Sequence, residues 1–322
     1  MGRGGAGQPT ACDVERGAGL LTLRVGLAGA GPWARCFHAP MLSRGPHTSL
    51  SAIWSRNAES ARLLAKEFGA RAVDRYEDLV ESSDAVSICV APEAQAPLAI
   101  SAARAGRAIL LEKPLSDSVR GAEQIVEAVE SANVGSMLML SYRFSPRIEV
   151  FVRRARELSA QGGAASFISA AFLSGPFAAA AWRRTRGPLL DVGFHVLDLL
   201  DATLGPIADI EAASHGDGPV CLMLSHAGGA VSQVVLNCSA AVPRSEMRVE
   251  LWGRAVPGRL SVRLETGAIP SLFSRVASEF ARAARRQPIR LTGPLPDAAR
   301  GLTLQRLVGR AEEMIGPGPM AL

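Results

Sequence analysis

The feature that most constrains the fold of this chain is a short apolar strand that runs directly into a glycine-rich turn. The strand is Leu23–Ala28, and the turn Gly29-Ala30-Gly31-Pro32-Trp33-Ala34 opens a predicted helix that reaches Met41. Glycines at this spacing allow a tight turn and let the backbone approach a pyrophosphate, and a helix N-terminus offers free N–H donors. The pattern therefore predicts a dinucleotide site, and the alternative is a glycine-rich turn of another α/β protein.

The next segments alternate between apolar runs and amphipathic stretches. The predicted strands are 50–54, 85–90, 108–111 and 137–140, and the helical segments are 58–68, 76–80, 97–105 and 119–130. Strands alternating with helices of ten or more residues predict a parallel, doubly wound sheet. We assign residues 23–145 to this first domain and interpret the polar, glycine-rich residues 1–22 as a disordered tail.

After residue 146 the pattern changes to helices mixed with closely spaced strands. Helices are predicted at 147–158, 191–204, 271–285 and 297–314, and strands at 165–173, 208–212, 219–225, 230–240 and 246–253. Gly162-Gly163 lies between the first of these helices and the first strand, and Gly228-Gly229 is interpreted as a hairpin turn. Residues 146–322 are therefore predicted to form a second, α+β domain with a mainly antiparallel sheet.

Composition excludes several classes of protein. The five cysteines (Cys12, Cys36, Cys89, Cys221 and Cys238) are scattered and form no CxxC pair, which argues against a disulfide framework or metal site and favours a reducing cytoplasm. The net charge of +5 is spread along the chain without a basic block, so nucleic acid is not an expected partner. No apolar run has the length of a membrane helix, and the N-terminus lacks the pattern of a signal peptide.

The end of the second strand bears on cofactor choice. An acidic residue there would bind the ribose 2′-hydroxyl of NAD, but the chain has Ser55 and Arg56 instead. A guanidinium can pair with a 2′-phosphate, so NADP is predicted as the preferred cofactor, with NAD possible. The alternative is that Arg56 is a solvated loop residue.

Two charges and a proline follow the buried strand 108–111. Open α/β sheets bind ligands beyond the carboxyl ends of their strands, so Glu112-Lys113-Pro114 is expected to face a cleft in which Lys113 is partly desolvated. The alternative is a solvated surface turn.

A second cluster of chemical groups lies in the other domain. Asp191 and His195 are four residues apart, so in a helix they share one face, where the carboxylate would orient the imidazole. Asp198 could instead be the partner of His195. A histidine in an apolar stretch can also be a satisfied core residue, and this pattern supplies too few ligands for a metal.

Three motifs in this order, GAGPWA, LLEKP and LLDVGFHVLD, resemble the glucose–fructose oxidoreductase and inositol dehydrogenase (Gfo/Idh/MocA) family. The resemblance implies an N-terminal Rossmann domain and a C-terminal domain with a large open sheet that makes a homo-oligomer, a dimer or tetramer. It implies hydride transfer between a nicotinamide cofactor and a secondary alcohol of a sugar or cyclitol. His195 would be the proton acceptor, Asp191 would hold it or bind substrate, and Lys113, often with a cis bond before Pro114, would stabilise the alkoxide.

The expected site residues fall into three groups. The catalytic group is Lys113, Asp191 and His195. The cofactor-binding group is Gly29, Gly31, Pro32, Trp33, Ala34, Ser55, Arg56, Pro92, Glu112 and Lys113. The substrate-binding group is Tyr142, Arg143, Asp191 and His195. The chain departs from the family in having neither Asn nor His within Ala91–Ala96, and in having His195 where the deoxysugar ketoreductases usually have Tyr.

Three hypotheses follow. The leading one is an NADP-preferring dehydrogenase or carbonyl reductase for a sugar-like polyol. The second is a glycosidase that uses a nicotinamide cofactor without net redox change. The third is a non-catalytic cofactor-binding protein, which would need none of the three catalytic side chains.

Overall fold

The computed structural model of the protein describes residues 22–174, 178, 181–214, 218–265 and 269–316. The predicted tail falls almost entirely outside the described residues. Six parallel strands form the N-terminal sheet in the order β3-β2-β1-β4-β5-β6. Their bounds are β1 (Leu23–Ala28), β2 (Thr48–Trp54), β3 (Arg71–Ala72), β4 (Ala85–Ile88), β5 (Ala108–Leu111) and β6 (Ser136–Leu138). The doubly wound prediction is confirmed, and the strand order reverses between β1 and β4, where such sheets open a crevice for ligands.

Helices connect these strands on both faces of the sheet. A π-helical turn (Ala34–His38) continues into α1 (Ala39–Ser43), and then follow α2 (Ala58–Phe68), α3 (Tyr76–Glu81), α4 (Pro92–Arg104) and α5 (Val119–Ala132). The α2 bounds agree with the prediction, since Asn57 caps the first turn and Gly69 ends the helix in the left-handed conformation. Helix α4 begins at Pro92 and not at Pro97, because a proline at the first helical position lacks only an N–H that would have no helical partner.

The second sheet has six strands in the order β12-β11-β7-β10-β9-β8, and all neighbouring pairs are antiparallel except β7 with β10. Its strands are β7 (Ala160–Ile168), β8 (Ile207–Ser214), β9 (Val220–His226), β10 (Val231–Asn237), β11 (Glu246–Gly253) and β12 (Arg259–Glu265). The α+β prediction is confirmed, and the hairpin turn at Gly228-Gly229 joins β9 to β10.

Two predictions for this sheet are wrong. Gly162 and Gly163 lie inside β7, so the strand begins at residue 160 and not at 165. A Cβ at Gly163 would lie 2.9 Å from the carbonyl oxygen of Glu250, so glycine here permits the close approach of the neighbouring strand. Strand β12 was not predicted, although polar residues alternate with its apolar residues along its whole length, which is the pattern of a half-buried strand.

The remaining helical elements of the chain are a 3-10 turn (Ser141–Phe144), α6 (Pro146–Glu157), α7 (Ala181–Pro188), a π-helical segment (Leu189–Gly193), α8 (Phe194–Leu204), a second 3-10 turn (Ile269–Leu272), α9 (Phe273–Ala284) and α10 (Ala298–Ile315).

Side chains alternate between the two faces of the second sheet. Helices α6, α8 and α10 pack on one face. The other face exposes Cys221, Met223, Val231, Val235 and Trp252, which leaves an apolar surface uncovered within the described part of the chain.

Helix α9 packs on the first domain although it follows the second sheet in sequence. Phe273 meets Phe37 edge to face with ring centroids 5.2 Å apart. A Cβ at Gly135 would lie 1.9 Å from the carbonyl oxygen of Ala283, so the chain beside β6 approaches this helix very closely. A boundary at residue 145 therefore leaves out one helix of the N-terminal packing unit. No helix in the described ranges is long and apolar enough to span a bilayer.

Candidate active site

The glycine-rich turn forms one wall of a cleft. Gly29 has a φ of +119°, and a Cβ there would lie 2.0 Å from the carbonyl oxygen of Cys89, so only glycine fits. At Gly31 a Cβ would have no atom within 4 Å, because that residue faces open space. Pro32, Trp33 and Ala34 continue this wall into the first helical turn. The turn thus meets two requirements for binding phosphate, because its backbone has a conformation that only glycine adopts easily and it leaves space for a ligand.

The cleft has a volume of about 1080 Å³ and runs between the carboxyl ends of the N-terminal strands and the second domain. Ser55 and Arg56 line it at the end of β2, and Arg56 is exposed. The Ser55 hydroxyl accepts a hydrogen bond from the backbone N–H of Asn57 at 3.3 Å. Pro92 lines the cleft at the start of α4. The structure therefore brings these predicted cofactor residues to one opening.

Glu112 lines the same cleft, but protein groups already bind both of its carboxylate oxygens. Trp33 Nε1 donates to Oε1 at 2.7 Å, and His38 Nε2 approaches the same oxygen at 2.8 Å. Since a carboxylate oxygen only accepts, His38 carries a hydrogen on Nε2. Oε2 accepts from the backbone N–H of Lys113 at 3.2 Å. Glu112 thus connects the glycine-rich turn to Lys113, and its direct contact with a cofactor stays a prediction.

Lys113 reaches the second domain. Its Nζ donates to Asp191 Oδ1 at 3.0 Å and to the backbone carbonyl oxygen of Asp191. Arg183 Nη1 lies 3.5 Å from the other carboxylate oxygen of Asp191. The peptide bond between Lys113 and Pro114 is cis, as the resemblance implied. The predicted catalytic lysine and aspartate are therefore in direct contact across the cleft.

Two cations keep the Asp191 carboxylate ionised. Burial alone raises its pKa, but the charges of Lys113 and Arg183 outweigh burial and hold the pKa below its ordinary value. Arg183 can reach back because Gly187, with a φ of +71°, kinks the chain between the two residues. Sequence reasoning did not identify Arg183, since a single arginine eight residues before an aspartate carries no motif.

His195 is buried beside this ion pair. Burial, reinforced by the charge of Lys113, lowers its pKa to about 3, and Asp191 acts in the opposite direction. Its ring meets Tyr142 edge to face with centroids 4.9 Å apart, and its Nδ1 has no hydrogen-bond partner among the described residues. The imidazole is therefore neutral, and because His195 lines the cleft its ring is within reach of a ligand.

The predicted hydrogen bond between Asp191 and His195 is absent, so that part of the prediction is wrong. Asp191 lies in a π-helical segment, whose longer turn does not stack residues four apart as an α-helix does. Its two carboxylate oxygens face Lys113 and Arg183 instead. Asp191 therefore acts on His195 through its charge and through their shared position in the cleft.

The structure also corrects the predictions for Asp198 and Arg143. Asp198 is fully buried and accepts hydrogen bonds from Arg143 at 2.9 Å and Arg300 at 2.8 Å, so it is not the partner of His195. Arg143 also donates to the carbonyl oxygens of Thr292 and Pro294. It lies outside the cleft lining, whereas its neighbour Tyr142, the other predicted substrate residue of this turn, lines the cleft.

The amino-acid sequence of this chain is similar to those of known oxidoreductases. The family described as "Oxidoreductase family, NAD-binding Rossmann fold" (Gfo/Idh/MocA) matches residues 23–140. Among curated proteins, the chain is 32% identical over 192 residues to dTDP-3,4-didehydro-2,6-dideoxy-α-D-glucose 3-reductase of Streptomyces violaceoruber, covering 58% of this chain and 56% of the relative. It is 29% identical over 208 residues to D-apiose dehydrogenase of Paraburkholderia graminis, covering 59% and 53%. The matches thus span about half the length of each of these curated relatives.

Solved structures match over a longer stretch. GenD2 from gentamicin A biosynthesis, solved in complex with NAD, has a TM-score of 0.79 at 20% identity and covers 91% of this chain and 94% of that one. Scyllo-inositol dehydrogenase from Lactobacillus casei, solved with NAD(H) and scyllo-inositol, has a TM-score of 0.78 at 18% identity, with coverage of 91% and 97%. At these identities the likeness shows that both domains share a known fold.

Proposed function

Because residues 23–140 match the Gfo/Idh/MocA oxidoreductase family, we propose that this chain is a member of that family and an NAD(P)-dependent dehydrogenase or reductase acting on a secondary alcohol or ketone of a sugar or cyclitol. The observation that carries the proposal is that Lys113, Asp191 and His195, which lie far apart in sequence, line the same cleft as the glycine-rich turn. The names of the relatives, a deoxysugar reductase and a sugar dehydrogenase, support the substrate class.

The residues present fit a nicotinamide dinucleotide, on the evidence of the turn at Gly29 and the open space at Gly31. The turn and the following helix N-terminus would hold the pyrophosphate. When bound, the cofactor supplies or accepts the hydride. The protein must orient the substrate carbon and manage one proton.

His195 is the group that accepts or returns that proton. It is neutral in the folded protein and lines the cleft, so its imidazole has a lone pair that can accept the proton of a substrate hydroxyl. Lys113 bears the positive charge that stabilises a developing alkoxide, and Asp191 fixes Lys113 through the ion pair at 3.0 Å. Tyr142 completes the wall beside His195.

The direct test is a panel of sugars, cyclitols and their keto forms, followed by NADPH and NADH absorbance. Saturable, substrate-dependent change in absorbance supports the proposal. Release of sugar from a glycoside without net change in reduced cofactor would establish the glycosidase instead. Binding of NADPH with no turnover of any substrate would favour a non-catalytic binder. The first relative is a deoxysugar reductase, so keto-deoxysugars belong in the panel despite His195.

NADP is the proposed preferred cofactor, and the exposed guanidinium of Arg56 at the cleft edge supports it. Arg56→Ala should weaken NADPH binding by about tenfold or more, the worth of one charge-assisted hydrogen bond, and change NADH binding little. Arg62→Ala, which removes an exposed arginine from α2 outside the cleft, is the matched control. Tighter binding of NADH than NADPH by the wild-type protein would overturn the preference.

A second copy of the chain is the proposed partner of the exposed sheet face. The apolar side chains Met223, Val231, Val235 and Trp252 alternate with buried ones and form a surface that a homo-oligomer would cover. We expect Val235→Arg to convert the oligomer to a monomer in sedimentation experiments. Val150→Arg, at an equally exposed valine on α6, should not. A monomeric wild-type protein at micromolar concentration would contradict this. The cytoplasmic location stays a prediction.

A further inference from the structure

A buried glutamine holds the loop that carries the catalytic lysine. Gln95 lies on α4, is 1% exposed, and reaches 17 residues ahead to the end of β5. Its Nε2 lies 2.7 Å from the backbone carbonyl oxygen of Glu112, 2.9 Å from that of Leu115 and 3.0 Å from that of Pro114, so its two N–H groups serve three acceptors and one of them is shared. Its Oε1 accepts from the backbone N–H of Glu112 at 3.0 Å. One side chain therefore contacts the backbone on both sides of Lys113.

These bonds replace a neighbouring strand. Strand β5 pairs with β4 only as far as Leu111, and with β6 also as far as Leu111. Beyond that point the backbone of Glu112 has no strand partner on either side. The Gln95 amide offers an acceptor and a donor, as a strand backbone does, and satisfies these buried groups. The amide orientation is unambiguous, because one side faces an N–H and the other faces carbonyl oxygens.

The same side chain connects the loop to the cleft wall. Pro92, Glu93 and Ala94 in the first turn of α4 line the cleft, and Gln95 follows them directly. From the other side, Glu112 is bound to Trp33 in the glycine-rich turn. The backbone of Lys113 is thus held between the cofactor turn and the start of α4, which leaves only its side chain free to adjust.

We propose that Gln95 is a positioning residue that fixes the backbone of the Glu112–Leu115 loop so that Lys113 reaches Asp191 and the reacting carbon. The proposal rests on the proposed function for its kinetic consequences but not for its structural one. Catalytic groups must be held within a fraction of an ångström of their productive geometry. Loss of Gln95 therefore lowers turnover by acting on Lys113, without removing any group that touches substrate or cofactor.

The kinetic test is a double-mutant cycle. Gln95→Leu should lower kcat by at least about 30-fold while the Kd for NADPH changes by less than about threefold, because only the alignment of Lys113 is lost. In a Lys113→Ala background the same substitution should lower kcat by less than about twofold, since residues that act through one another are not additive. Equal losses in both backgrounds would overturn the proposal. The matched control is Gln305→Leu. Gln305 is also 1% exposed, but its Oε1 accepts only one long hydrogen bond, from the backbone N–H of Ser116 at 3.5 Å, so its loss should lower kcat much less.

A second measurement needs no substrate. The chain has two lysines, Lys66 and Lys113, so trace acetylation followed by mass spectrometry reports Lys113 with Lys66, exposed on α2, as internal reference. Gln95→Leu should change the Lys113 to Lys66 labelling ratio by at least threefold, and Gln305→Leu should leave it unchanged. An unchanged ratio in folded Gln95→Leu would overturn the proposal even if no substrate were found. Should that variant not fold, Gln95→Glu keeps the side-chain shape and the bond from Glu112 but loses the donors, and the same outcomes apply.

Discussion

Two buried aspartates seven residues apart have similar ion-pair partners but lie in different environments. Asp191 and Asp198 are both buried, at 3% and 0% exposed, and each faces two cationic side chains. The partners of Asp191 are Lys113 and Arg183, and one of these contacts is as long as 3.5 Å. Asp198 has Arg143 and Arg300 at 2.9 and 2.8 Å. The difference lies in what surrounds the pairs.

The Asp191 cluster opens onto the cleft, and the Asp198 cluster is sealed. Lys113 and Arg183 retain 11% and 17% exposure and line the cleft, whereas Arg143 and Arg300 retain 3% and 6% and lie away from it. Arg300 also binds Asp201 at 2.9 Å, so the sealed cluster ties α8 to α10 and to the chain before α6. A buried ion pair is thus placed for the proposed chemistry where a ligand can reach it, and it holds helices together where a ligand cannot.

Removal of Lys113 should produce the largest effect on activity. Lys113→Ala eliminates the charge that faces the reacting oxygen, and kcat should fall by about 10²–10⁴-fold. The free energy of unfolding should change little, because the cluster is open to cleft water. Lys66→Ala is the matched control. Turnover within tenfold of wild type for Lys113→Ala would contradict the assigned role.

In the sealed cluster, we expect a substitution to affect the free energy of unfolding more than it affects activity. Asp198→Asn should reduce the free energy of unfolding by about 3–5 kcal/mol, because two buried guanidinium groups lose their compensating charge. Asp191→Asn should cost less than about 2 kcal/mol, since cleft water reaches Lys113 and Arg183, but should lower kcat more than Asp198→Asn does. Urea denaturation measures the first quantity and initial rates the second. Equal destabilisation by the two substitutions would remove the distinction between the clusters.

The sequence predicts the fold well because each of its signals is local. The turn at Gly29, the apolar strands and the caps at Asn57 and Ser118 depend on neighbours within a few residues. The predictions differ from the structure where tertiary contacts determine the local conformation or the packing of an element. Gly162 and Gly163 serve a close strand approach, and α9 packs on the first domain across more than a hundred residues of chain.

The sequence predicted which residues line the site better than it predicted the hydrogen bonds and ion pairs between them. Lys113, Asp191 and His195 do meet in one cleft. The residues that position them were not predicted, because Gln95 and Arg183 act through folded geometry and carry no motif. The predicted bond between Asp191 and His195 assumed a regular α-helix, and a π-helical segment replaces it.

Protonation of His195 should make stability depend on pH already between pH 7 and pH 5, above the range in which Asp191 titrates. Burial lowers the pKa of His195 to about 3 in the folded protein, whereas an unfolded histidine has a pKa of about 6.5. The unfolded chain therefore binds the extra proton, and the contribution to stability is complete above pH 6.5 and is lost as the pH falls toward 3. The pKa of Asp191 is also lowered, so its own window lies lower, below its ordinary value of 3.8.

His195→Gln tests this linkage. Between pH 7 and pH 5 the wild-type protein should lose about 1–2 kcal/mol more of its free energy of unfolding than the variant does. Urea denaturation at pH 7, 6 and 5 measures the difference. Parallel pH dependences for wild type and variant would show that His195 is protonated or solvated in the folded state.

The smallest effect is expected at Tyr142, where the open and sealed clusters meet. Tyr142 packs on His195 while the adjacent Arg143 binds Asp198, so one short turn contacts both clusters. Its hydroxyl has no hydrogen-bond partner among the described residues and lines the cleft, where burial raises its pKa and keeps it a neutral donor. Tyr142→Phe keeps the ring contact and removes only the hydroxyl, so KM should rise by about three- to tenfold with kcat nearly unchanged.

Tyr142→Leu, which also removes the ring, should lower kcat as well, because His195 then loses the side chain that fixes its orientation. If Tyr142→Phe lowered kcat as much as Tyr142→Leu, the hydroxyl would take part in proton transfer, and the open cluster would include a fourth catalytic group.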